Sequence, residues 1–216
     1  MKTTKRLSDK VAEYVRELIL TNKMKNGEPV DEVALAEKLK LSRTPVREAV
    51  SSLEKEGLVK VIPGKGAFVT ELTFSDYREI NELRSFLEPM AAVMSMANVT
   101  DEEVGKQLSV WTKIRADLLS GECIPSTEMI KYDHQLHSLL IDRCRNNRLI
   151  SILWILRQQS MRYLFTVWST DSYNEKTAEE HISILEAMKS KDTDKLSELL
   201  SAHVVISSKY ISDGLI

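Results

Sequence analysis

Cysteine is scarce in this chain: Cys123 and Cys144 are the only two in 216 residues. Neither lies in a CxxC pair, so no disulfide framework is present, and the usage suits a reducing cytosol. The N-terminus, MKTTKRLSDK, lacks the apolar core of a secretory signal. No run of about 18 apolar residues occurs, which excludes a helical membrane span. From these absences the expected location is the cytoplasm, away from membranes. Low-complexity segments and internal repeats are also missing. Beyond Thr73, Gly and Pro become sparse and strand signals disappear. Charge of one sign is lacking as well, with a formal net of −2. It divides unevenly: residues 1–70 carry 14 Lys and Arg against 10 Asp and Glu, the remainder 16 against 22. A mildly basic head on an acidic body suits a head that meets phosphate. The length allows one or two domains, and composition sets the boundary between 1–72 and 73–216.

In the head, Val11, Val15, Leu18 and Ile19 have helical spacing. Gly27 and Pro29 then break the chain. Asp31 is placed to cap a short helix facing inward through Leu35, Ala36 and Leu39. Ser42 is a suitable N-cap for a second helix with Pro45 in its first turn. Val46, Ala49, Val50 and Leu53 make its inner stripe, which leaves Arg43, Thr44 and Arg47 pointing outward. Gly57 stops it. Leu58–Ile62 and Ala67–Glu71 read as strands around Pro63-Gly64-Lys65-Gly66, a hairpin tip presenting one cation. Three helices and a hairpin make a winged helix-turn-helix, with fork-shaped donors leading the helix that enters the major groove. Taken singly, either arginine is as readily a solvated ion pair.

SRTPVREAV, followed by LEKEGLV and PGKGAFV, resembles the GntR family of bacterial transcription regulators over about Leu7 to Glu71. The resemblance implies that Arg43, Thr44, Arg47, Lys65 and Gly66 touch operator DNA. One departure is Lys40, which stands where the family usually has Gly; a positive φ there would cost roughly 1 kcal/mol relative to Gly.

The second part predicts an all-α bundle of six helices, near 75–97, 101–119, 126–145, 147–169, 174–190 and 193–212, with Asp101, Ser126 and Asp194 as caps. The cluster Leu149–Leu156 is apolar nearly all round, so that helix is central or shared with a second subunit. Asp133 and His137, four apart, share a helix face. His181 and His203 each lie about eleven residues from a turn near Asp192, so an antiparallel pair brings them level. A carboxylate and three imidazoles are ligands for a divalent metal such as Zn²⁺, Ni²⁺ or Mn²⁺. Each histidine alone serves equally as a surface or core residue, and His134 points away from the set. Arg84 shares a face with Ile80, Leu87 and Ala91, so its guanidinium turns inward. It either pairs with Glu88 or grips a ligand carboxylate bidentately.

LRSFLEPMAA, the DHQLH of 133–137, EEHISILEAM and the His203 helix resemble the FCD domain of the FadR subfamily of GntR regulators. That resemblance implies a divalent metal on Asp133, His137, His181 and His203, and a small carboxylic acid held beside it. It also implies a homodimer. A regulator answering to a metabolite follows. A direct metal sensor uses the same ligands. A metal-dependent hydrolase would need a general base that no motif supplies, and would leave the head unexplained.

Overall fold

The computed structural model describes residues 6–71, 73–167 and 171–214, with side chains described except at 164–167, 171–172 and 207–214. The chain divides into two units, Met1–Thr73 and Phe74–Ile216.

The first unit contains α1 (Leu7–Leu20), β1 (Pro29–Val30), α2 (Glu32–Leu39), α3 (Arg43–Lys55), β2 (Val59–Ile62) and β3 (Gly66–Val69). Helix α1 buries Val11, Ala12, Val15 and Ile19, a stripe at helical spacing that packs on α3. From α3 come Val46, Ala49, Val50 and Leu53, all fully buried. Cutting Leu53 to Ala would cost about 2–5 kcal/mol in lost transfer energy and cavity formation. Asp31 caps α2, its Oδ1 accepting from Val33 N at 2.9 Å and Ala34 N at 3.0 Å. Ser42 occupies the N-cap of α3 but makes no side-chain cap bond. Lys40 closes α2 in the left-handed region, with φ 55°. The three strands are antiparallel in the order β1-β3-β2. Strand β1 was not expected: two residues are too few for alternation to show, and their ladder is set by β3, where Val30 lies opposite Ala67.

The second unit holds α4 (Phe74–Ser95), a 3₁₀ turn (Met96–Asn98), α5 (Asp101–Leu119), α6 (Ser126–Ile141), α7 (Asn147–Val167), α8 (Asp171–Lys189) and α9 (Thr193–Gly214). Helix α4 packs against α6, α7 and α9, while α8 packs against α5 and α9. Three caps differ from expectation. Thr100 rather than Asp101 caps α5 in a reciprocal box: its Oγ1 accepts from Glu103 N at 3.2 Å, and Glu103 Oε2 accepts from Thr100 N at 2.9 Å. Asp192 rather than Asp194 caps α9, accepting from Lys195 N at 3.0 Å. Pro125 holds the N-cap position of α6, with Ser126 the first helical residue.

Helix α7 is not enclosed all round: Leu149 and Leu153 are buried, but Ile152 is 48 % exposed. Helix α4 runs through Pro89, which has no N–H and so removes one rung of the helical ladder. One face of α4 leaves Leu83, Phe86, Met90 and Met94 exposed, Phe86 by 77 %. No described helix is long and apolar enough to cross a membrane.

Candidate functional site

In the first unit the outward residues are Arg43, Thr44 and Arg47, all exposed on the opening turns of α3. They point outward because Val46, Ala49, Val50 and Leu53 fix the opposite face in the core. Arg47 Nε stands 3.8 Å from Glu32 Oε2, with the arginine side chain 73 % exposed; a pair this long and wet contributes little and yields readily to phosphate. The hairpin tip closes by a bond from Lys65 N to Ile62 O at 3.0 Å, leaving Lys65 exposed. Gly66 has φ 102°, and a Cβ there would meet nothing within 4 Å. Its requirement is therefore conformational, since a side chain strains that backbone in open space too.

The second unit gathers Asp133 and His137 from α6, His181 from α8 and His203 from α9, all buried, with one donor atom from each within 4.8 Å of the others. Asp133 Oδ1 is 3.5 Å from His137 Nε2 and 3.7 Å from His181 Nε2. These separations are too long for hydrogen bonds. His137 Nε2 and both ring nitrogens of His181 are buried with no hydrogen-bond partner among the described residues. Buried polar atoms left in this way need an explanation. Donors sharing one zinc-sized ion at about 2.0–2.1 Å stand roughly 3.3 Å apart in a tetrahedron, so the set offers suitable donors and must draw together from separations of up to 4.8 Å to hold a cation. Burial, with His203 beside it, holds His181 well below the usual imidazole range. It is thus a neutral donor at pH 7.

Around the four stand charges that sequence reasoning did not assign. Arg157 of α7 donates from Nη2 to Asp133 Oδ2 at 2.5 Å and from Nη1 to Glu88 Oε1 at 3.4 Å. Glu88 Oε2 lies 3.1 Å from His137 Nδ1. On the far side, His203 Nδ1 stands 2.7 Å from Glu180 Oε2. Burial alone would push both acids up. The opposing guanidiniums, Arg84 and Arg157 at Glu88 and Arg157 at Asp133, hold them well below the usual carboxylate range. Arg84 is inward, as its helix face required, and its guanidinium is engaged: Nε on Glu88 at 2.6 Å, Nη1 on Asn81 and Ser160 at 2.9 Å each. His134 lies outside the set and stacks on Trp154 at 4.6 Å. The available signal for Arg157 was a charge inside an apolar stretch. Glu180 had none beyond its place next to His181.

Residues 7–69 match the gntR family of bacterial regulatory proteins, and residues 79–205 match the FCD domain. The chain is 32 % identical over 182 residues to the Nta operon transcriptional regulator of Aminobacter aminovorans, covering 82 % of this chain and 81 % of that protein. It is 28 % identical to the transcriptional repressor GlaR of Escherichia coli, covering 79 % and 80 %. Among solved structures, E. coli McbR/YncC superposes with a TM-score of 0.84 at 20 % identity, covering 99 % of this chain and all of that one. A putative GntR regulator from Rhodococcus gives 0.75 at 21 %, covering 95 % and 97 %; these two likenesses speak for the fold. A DNA-reading winged helix-turn-helix joined to a ligand-type helical bundle, matched over both parts, makes this chain a transcriptional regulator of the GntR family, FadR type, and not an enzyme.

Proposed function

We propose that the chain acts as a homodimer on a roughly palindromic operator. A small carboxylic acid bound beside a divalent metal in the bundle shifts its DNA affinity. The observation that carries this reading is the buried set Asp133, His137, His181 and His203, in which His137 Nε2 and both ring nitrogens of His181 lack hydrogen-bond partners among the described residues. Zn²⁺, Ni²⁺ and Mn²⁺ suit such a mixed imidazole and carboxylate set. When bound, an ion that prefers five or six ligands would offer open coordination positions to an acid. The chain's own residues do the rest. Arg157 keeps Asp133 ionised and occupies its Oδ2, leaving Oδ1 toward the imidazoles. Arg84, engaged by Glu88, receives an incoming carboxylate by sharing or exchange with that glutamate. Glu88 and Arg84 both lie on α4, which begins at Phe74, the first residue after the DNA-reading unit. A change at the site therefore acts on the helix that continues from the head, which is the coupling an effector needs.

Dimerisation is supported by the exposed stripe Leu83, Phe86, Met90 and Met94 on α4, an apolar face at helical spacing that a second copy would cover. In sedimentation, Phe86→Asp should move the protein from dimer to monomer and weaken operator binding. A wild-type monomer would remove this element.

The deciding experiment is elemental analysis with native mass spectrometry of protein purified without added metal or chelator. DNA binding is then measured with the metal alone and with the metal plus a panel of mono- and dicarboxylates. About one metal per chain, and an affinity that changes only when an acid is added, is the expected result. Affinity that tracks metal alone makes the protein a direct metal sensor. No metal uptake, even on titration, overturns the reading.

A further inference from the structure

The three imidazoles are not equally supported. His137 Nδ1 faces Glu88, but that carboxylate is also engaged by Arg84 and Arg157, which draw off its charge. His181 Nδ1 has no hydrogen-bond partner among the described residues; its ring meets the edge of Trp111 at 4.1 Å. His203 differs. Its Nδ1 is 2.7 Å from Glu180 Oε2, and Glu180 Oε1 is buried with no hydrogen-bond partner among the described residues. A carboxylate only accepts, so the hydrogen sits on His203 Nδ1 and the lone pair on Nε2, the nitrogen left for the cluster. Among the described residues, the hydrogen bond made by the Glu180 carboxylate is thus the one to that ring.

We propose that Glu180 is a positioning residue for metal binding: it fixes His203 in the Nδ1-protonated tautomer and makes it the strongest imidazole donor of the set. A carboxylate behind a ligand histidine orients the ring and raises its basicity, and loss of such a group typically costs about 10–100-fold in metal affinity. Glu180 also lines a cleft of about 190 Å³ between α8 and α9, together with Lys176, Ser183, Leu199 and His203. It is therefore the outer support of the site that solvent reaches, whereas Glu88 is enclosed.

This inference rests on the metal reading above, and its test separates the two. Zn²⁺ affinity of the full chain is measured by chelator competition for wild type, Glu180→Gln, Glu180→Leu and Glu179→Gln, beside the melting temperature of each metal-free protein. Gln retains an acceptor without the charge, and Leu retains neither. The expected order is wild type, then Gln, then Leu, with Leu weaker by roughly 10–100-fold. Glu179→Gln should match wild type, because Glu179 pairs with exposed Arg115 at 3.0 Å. ¹⁵N NMR of His203 adds a readout that a merely structural role would not move. Wild type and Glu180→Gln should show the proton on Nδ1, and Glu180→Leu should show tautomer mixing. Unchanged affinity in Glu180→Leu, or an equal loss in Glu179→Gln, overturns the proposal while the metal site stands. A wild type that takes up no Zn²⁺ overturns both.

Discussion

Arg157 binds one oxygen of Asp133 and leaves the other free: Nη2 donates to Oδ2, while Oδ1 faces the Nε2 atoms of His137 and His181. The same guanidinium reaches Glu88. Arg157→Met would leave two buried carboxylates short of a partner, and breaking a buried pair in this way costs about 3–5 kcal/mol. Chemical denaturation should register that loss. Added Zn²⁺ should restore more stability to this variant than it adds to wild type, because the ion replaces the missing positive charge. A variant as stable as wild type without metal would contradict this account.

At the DNA face, Arg43→Ala and Arg47→Ala should each lose about 1–3 kcal/mol of discrimination between an operator selected from random sequence and a scrambled duplex. Lys65→Ala should act differently. A lysine meeting phosphate weakens all sequences alike and lowers the salt slope by about 1. Fluorescence anisotropy at several salt concentrations separates the two behaviours. An Arg43→Ala, Arg47→Ala double variant that still prefers the operator would remove α3 as the reader.

Lys40 occupies a left-handed position at φ 55°, where a β-carbon is strained. Lys40→Gly should therefore stabilise the protein by roughly 1 kcal/mol, seen as a higher denaturation midpoint. A lower midpoint would mean that the lysine side chain makes up more than the strain.

Tyr77, fully buried and 4.4 Å from the Tyr163 ring, has its phenol pushed up by burial to about 12, against the opposing charge of Arg84. The folded state holds this proton more tightly than the unfolded chain, whose tyrosines titrate near 10. The resulting stability is present in full below about pH 10 and is lost as pH rises through about 12. Burial raises Tyr163 as well, so alkaline titration followed by phenolate absorbance should show two late-ionising tyrosines in wild type and one fewer in Tyr77→Phe.

Much of this molecule was legible in the sequence. The inner stripe of α3 and the bundle helices followed from period and breakers, because long amphipathic segments carry many consistent positions. His181 and His203 could be set level by counting from one turn, and Asp133 and His137 could be placed on one helix face by their spacing of four. Caps slipped by one or two residues because Thr100 and Asp101, or Asp192 and Asp194, are chemically equivalent candidates, and local backbone chooses between them. The supporting charges were hidden for a different reason. Arg157 meets a carboxylate 24 positions away and another 69 away, and His203 meets Glu180 across a helix pair. A single charge in a helix looks solvated until its neighbours are known.

Glu88 and Asp133 carry two negative charges into the interior, Arg84 and Arg157 two positive ones. With Glu180 on His203 counted as well, the metal-free site holds one negative charge in excess and has little electrostatic appetite for an acid. A divalent ion among the imidazoles would turn that excess into one positive charge. Electroneutrality then asks for an anion, and for one only once the ion has arrived. If the proposed metal and acid bind, this accounting predicts their order: cation first, acid second, with the acid cancelling the positive charge that the ion leaves.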